Sequence, residues 1–172
     1  MRDYVLPPVL TDKARRVIDA NRAAGRRIAV AESCTGGLVA AALTEIAGSS
    51  DVFETGLVTY SNQAKSRLLQ VSEDVIDTFG SVSVATAWAM AQGALKASDA
   101  DVAVALTGIA GPAGGSDRKP VGTVVFARAE RDADPKQIVA DTECFGDLGR
   151  GGVRLQAALF ALDLLLPEPP SP

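Results

Sequence analysis

The chain has no histidine among its 172 residues, only two cysteines, and an aromatic content of 5%. The missing histidine excludes the Ser-His-Asp and Cys-His arrangements, so an activated nucleophile would have to rely on lysine, tyrosine, a carboxylate or local electrostatics. Cys34 and Cys144 make no CxxC or other metal-ligand spacing, and a zinc site without histidine would need an unusual carboxylate shell. No metal or other cofactor is expected. Few aromatics also mean no stacking platform for single-stranded nucleic acid. The opening MRDYVLPPVL has no apolar core of signal-peptide length, and the longest late apolar run, LFALDLLL, is broken by Asp163. A cytoplasmic protein without a membrane partner is expected. The net charge of -4 repels phosphate backbones and anionic lipid at long range, which argues against a nucleic-acid partner but leaves room for a small anion in a basic pocket.

What is present is an Ala, Val and Leu-rich chain, 47% hydrophobic and 22% charged, long enough for one sizeable core. We expect one domain over 1–172, with tails at 1–10 and 167–172. Thr11 as N-cap and Gly25 as stop frame a helix over about Asp12 to Ala24. Ile28 to Glu32 reads as a buried strand, followed at Ser33 to Gly37 by a turn into a helix reaching about Ala47. A strand at Thr55 to Tyr60 leads into a short helix capped by Asn62. A helix over Val84 to Ala97 precedes the apolar run DVAVALT at 101–107, of the kind buried on both faces of a parallel sheet. Val121 to Arg128 and Gln137 to Phe145 form a hairpin, and a last helix covers Val153 to Leu166. The pattern predicts a three-layer α/β/α sandwich on a mixed, mostly parallel sheet.

Ser33, Tyr60 and Thr107 each fall at the C-terminal end of a different strand, the edge where open α/β sheets bind ligands. Lys65 lies just beyond Tyr60, near the start of a helix whose dipole would lower its pKa. In AESCTGG, Ser33 sits at a strand-to-helix turn whose free N–H groups suit an oxyanion, and Gly36 and Gly37 would admit substrate closely. Taken alone, Ser33 or Thr35 reads as a simple helix cap. Cys34 is a second candidate nucleophile, or a small buried apolar residue. The loop TGIAGPAGGSDRKPVG holds five glycines and lacks the P-loop pattern. Its Gly108, Gly111, Gly114 and Gly115 are expected to shape a substrate site, while Asp117, Arg118 and Lys119 read as solvated charges.

The segments AESCTGGLVAAALTEIAGSSDVFETGLVTYSNQAKSRLL at 31–69, SVSVATAWAMAQGALKASDADVAVALTGIAGPAGGSDRKPVGTVVFA at 81–127 and ECFGDLGRGGVRLQAA at 143–158 closely resemble the CinA C-terminal domain family. That resemblance covers nearly the whole chain from Thr11. It implies hydrolysis of the amide of nicotinamide mononucleotide to nicotinic acid mononucleotide and ammonia. It also implies an amidase without the additional N-terminal domain of full-length CinA proteins. Residue by residue, it implies Ser33 as nucleophile, Lys65 as base, Tyr60 and Thr107 as assisting hydroxyls, and a homo-oligomer. Where the family shows GDR, this chain has GDLGRGGVR, so an anion contact is implied for Arg150 or Arg154. Two readings from other classes stand beside the enzyme: a nucleotide-binding regulatory module, and an interaction protein of the competence or DNA-damage response.

Overall fold

The computed structural model describes residues 4–167. Its elements are α1 (Pro8–Ala23), β1 (Ile28–Glu32), α2 (Leu38–Thr44), β2 (Phe53–Val58), α3 (Asn62–Leu69), α4 (Glu73–Phe79), α5 (Val84–Lys96), β3 (Val102–Gly108), β4 (Thr123–Glu130), β5 (Val139–Cys144) and α6 (Gly149–Leu164), with a single 3-10 turn at Ser49–Asp51. The strands form one sheet in the order β2-β1-β3-β4-β5. β1 pairs in parallel with β2 and β3, whereas β4 is antiparallel to both β3 and β5, so β4 alone runs against the rest. The expected mixed sheet, hairpin and helical layers on both faces are all present.

Burial on both faces explains the near-continuous apolar strands, but their side chains alternate in size. Ile28, Val30, Val104, Leu106, Val124 and Phe126 face α1, α2 and α6. Ala29, Ala31, Ala103, Ala105, Ala127 and Ala129 face the layer containing α5. The small face lets α5 lie close to the sheet, and α3 lies close to α5 in turn. A Cβ on Gly93 would fall 2.1 Å from the Leu69 carbonyl oxygen, so only glycine fits that crossing.

Several boundaries differ from expectation. α1 starts at Pro8, not Asp12, because proline at the first helical turn has the right φ and needs no N–H acceptor. Thr11 is therefore inside the helix, donating to the Pro8 carbonyl, and Leu10 is buried rather than part of a tail. The other end of the expected tails, beyond Pro167, lies outside the described residues. Ser61, not Asn62, caps α3 by accepting from the Ala64 N–H at 3.0 Å. α4 was not anticipated, although Glu73 and Asp74 in its first turn and Gly80 at its end are helix-boundary signals. α6 begins at Gly149 and includes Gly151 and Gly152, tertiary packing of its apolar face outweighing two poor helix formers.

Candidate active site

β1 delivers Ser33 to the sheet edge, and the residue before it organises the turn that follows. Glu32 is fully buried. Its Oε2 accepts from Thr35 Oγ1 at 2.6 Å and from the N–H groups of Gly37 and Val39, both at 3.1 Å. Its Oε1 accepts from the Ala40 N–H at 2.8 Å. An acidic side chain thus satisfies the first N–H groups of α2, where the helix dipole favours it. The cap is Glu32, and neither Ser33 nor Thr35 serves as one. Gly36 and Gly37 take φ values of +61° and +97°, so their glycine identity serves the turn rather than close approach of substrate.

With those bonds made, the N–H groups around the turn are largely committed. Ser33 N–H donates to the Leu106 carbonyl, Gly36 N–H to that of Ser33, and Leu38 N–H to that of Thr35. Among the described residues, the Thr35 N–H donates to no protein acceptor, and the Cys34 N–H has only its own thiol as partner.

Lys65 projects from α3 into the same place. It is only 1% exposed, and its Nζ donates to Ser33 Oγ at 2.9 Å and to the Thr59 carbonyl at 2.8 Å. Burial lowers its pKa from the ordinary 10.5, because removing water disfavours the ammonium form. The direction agrees with the sequence reading, but desolvation is the cause rather than the dipole of α3. Cys34 is 5% exposed, and burial, reinforced by Glu32, pushes its thiol up to about 11. At neutral pH it remains a thiol, which favours Ser33 as the nucleophile.

Ser33 and Lys65 open into a cavity of about 470 Å³, also lined by Tyr60, Thr107, Gly108, Gly111, Gly114, Ser81, Lys119 and Arg150. Lys119 and Arg150 line it beside Lys65, and none of its lining residues is Asp or Glu. That contrasts with a net charge of -4 for the chain.

A family model described as the CinA C-terminal domain matches residues 10–168. The chain belongs to the CinA C-terminal domain family. A protein of Enterobacter agglomerans named nicotinamide-nucleotide amidohydrolase PncC is 52% identical over 149 residues, which is 87% of this chain and 88% of that protein. The protein of the same name from Escherichia coli K12 is 48% identical over 157 residues, covering 91% and 92% of the two chains. The crystal structure of the competence/damage inducible protein CihA from Agrobacterium tumefaciens matches with a TM-score of 0.88 and 47% identity, over 94% of this chain and 96% of that one.

Within this CinA domain, the four residues expected to do the chemistry share one cavity but do not form one hydrogen-bonded chain. Thr107 Oγ1 donates to the Ser81 carbonyl at 2.8 Å, which ties β3 to the loop before α5 rather than to Lys65. Tyr60 is 59% exposed, and its hydroxyl accepts from Arg150 Nη2 at 2.6 Å. Arg150 Nη1 donates to the Gly111 carbonyl at 2.8 Å, so one guanidinium ties the segment after β2, the glycine-rich loop and α6 together. Gly115 does not line the cavity; a Cβ there would lie 2.7 Å from the Val121 nitrogen, a packing constraint within the loop. Arg154 Nη2 donates to the Thr35 carbonyl at 2.9 Å and so braces the turn after Ser33 rather than the cavity.

Sequence reasoning missed Glu32, Ser81 and Lys119. Glu32 was hidden in the strand pattern, although an acidic residue just before a helix start was a usable signal. Lys119 is not simply solvated: it lines the cavity, and its Nζ donates to the Phe79 carbonyl at 3.2 Å. Among the described residues, no group of three or more Cys, Asp or Glu is placed to hold a metal ion, and no helix is long and apolar enough to cross a membrane.

Proposed function

We propose that this protein is an amidohydrolase that converts nicotinamide mononucleotide to nicotinic acid mononucleotide and ammonia, with Ser33 as nucleophile and Lys65 as its base. The observation that carries the reading is the buried 2.9 Å contact between Lys65 Nζ and Ser33 Oγ, in a chain with no histidine. A lysine whose pKa is lowered by burial supplies the neutral amine that a serine-activating base requires. The cationic lining without carboxylates supports an anionic substrate. The names of the relatives from Enterobacter agglomerans and Escherichia coli supply its pyridine nucleotide identity.

Ser33 Oγ attacks the carboxamide carbon while its proton passes to the Lys65 amine. The N–H groups of Cys34 and Thr35 receive the oxyanion of the tetrahedral intermediate. As the intermediate collapses, the C–N bond breaks and Lys65 returns the proton to the leaving nitrogen, releasing ammonia and leaving an ester on Ser33. Water attacks that ester, Lys65 takes its proton, and collapse of the second intermediate restores the Ser33 hydroxyl and frees the carboxylate product. Tyr60, Thr107 and Arg150 act on the substrate side of the cavity rather than in proton transfer.

The test is ammonia release from nicotinamide mononucleotide by the purified protein, with Ser33→Ala and Lys65→Ala beside the wild type. Both variants are expected to lose at least about a thousandfold in kcat, since nucleophile and base act as a unit. Full activity in Ser33→Ala overturns the nucleophile assignment. Saturable nucleotide binding without turnover on any pyridine nucleotide amide would favour the regulatory module instead.

A further inference from the structure

We propose that Lys119 is the residue that selects for a phosphorylated substrate, its ammonium pairing with the phosphate of the nucleotide while Ser33 and Lys65 act on the amide. The inference rests on the amidohydrolase reading for the identity of the nucleotide, but the anion preference stands on the cavity itself.

The cavity's three basic side chains differ in what they have left to offer. Lys65 is buried against Ser33 Oγ and the Thr59 carbonyl. Arg150 uses two of its five N–H donors on the Tyr60 hydroxyl and the Gly111 carbonyl, which fixes its guanidinium between those two partners. An ammonium has three N–H donors, and the Lys119 Nζ uses one on the Phe79 carbonyl. Among the described residues its other donors meet no protein acceptor.

Lys119 is also held in place rather than waving on a loop. Its N–H donates to Ser116 Oγ at 3.1 Å, and its carbonyl accepts from the Ser116 N–H at 2.9 Å. Its side chain reaches back across the cavity edge to the end of α4, near Gly80, where a Cβ would stand 3.4 Å from Nζ. Ser81 and Ser116 line the cavity beside it and add polar groups suited to phosphate oxygens. Held from the loop on one side and from α4 on the other, the ammonium has little freedom to lose when an anion arrives, which favours binding.

A purely structural role, tying the loop to α4, would affect every substrate alike. Selection for phosphate would affect only substrates that carry one. The experiment compares nicotinamide mononucleotide with the corresponding riboside, which has the same amide and no phosphate, in the wild type, Lys119→Met and Lys119→Arg. Methionine keeps most of the apolar stem and removes the charge. We expect Lys119→Met to lower kcat/KM for the nucleotide by about ten- to a hundredfold, mainly through KM, as loss of a charge-assisted hydrogen bond does. Its kcat/KM for the riboside is expected to stay within about twofold of the wild type, and Lys119→Arg to recover part of the nucleotide preference. An equal loss on both substrates, or no loss on either, overturns the proposal. Calorimetric titration with inorganic phosphate separates the two readings. If the wild type turns over neither substrate, the amidohydrolase reading fails, and phosphate binding that weakens at least tenfold in Lys119→Met still supports Lys119. Phosphate binding that is absent, or equal in the two proteins, overturns it.

Discussion

Lys65 Nζ and Ser33 Oγ stand 2.9 Å apart, brought together from positions 32 residues apart in the chain. β1 leads into Ser33 and β2 leads into the helix bearing Lys65, and the parallel pairing of these strands places both at one sheet edge. Enclosure there does two things at once: it orients the lysine and strips its water, which lowers its pKa.

Activity should therefore rise with pH as Lys65 loses its proton, with a midpoint below the 10.5 of an ordinary lysine. Lys65→Arg keeps the charge but cannot deprotonate in this range, so kcat should fall at least about a hundredfold, with no rising limb from that position. A pH profile of kcat on nicotinamide mononucleotide checks this. An unmoved limb in the arginine variant would remove Lys65 from the role of base.

The same burial has a cost that depends on pH. Because the folded-state pKa of Lys65 is lowered, the unfolded chain binds more protons between that value and 10.5, and wild-type stability should rise with pH through this window. Lys65→Met lacks the titrating group. Its stability relative to the wild type should be greatest below the folded-state pKa and decline as pH approaches 10.5. Urea denaturation of both proteins at several pH values measures the difference; parallel curves would contradict it.

Glu32→Gln keeps the shape of the buried side chain but replaces one of two acceptor oxygens with an amide donor. At least one of the groups now bonded to Glu32, namely Thr35 Oγ1 and the N–H groups of Gly37, Val39 and Ala40, then loses its acceptor. The variant should lose at least about 1–3 kcal/mol of stability, the cost of one unsatisfied buried polar group. Since the turn also aims the N–H groups of Cys34 and Thr35, kcat should fall more than KM rises. Thermal denaturation and steady-state kinetics on the same preparation check both, and an unaltered kcat in a folded Glu32→Gln protein would show that the turn does not depend on the carboxylate.

Tyr60 and Arg150 should behave as one unit. Tyr60→Phe removes the hydroxyl that accepts from Arg150 Nη2, and Arg150→Ala removes the donor. Each single variant should raise KM several-fold, and the double variant should be no worse than Arg150→Ala alone, because the second change removes an interaction already lost. Full additivity in this double-mutant cycle would mean that the two residues act separately.

What the sequence determined by itself was local or categorical. Lack of histidine narrowed the possible base, the buried runs IAVAE and VAVALT marked the central strands, and their C-terminal ends marked the sheet edge where Ser33 and Thr107 lie. These signals survive because strand periodicity and the position of a residue after its strand depend on near neighbours. Tertiary structure decided the rest. That Lys65 is desolvated against Ser33 and that Arg150 binds Tyr60 rather than standing free both depend on contacts between distant segments. Lys119 shows the difference most plainly: in the sequence it is one charge among three in SDRKP, and only the fold of the glycine-rich loop against α4 turns it toward the cavity. A charge pattern along a chain cannot say which side of a wall each charge will occupy, because that depends on which distant segment forms the wall.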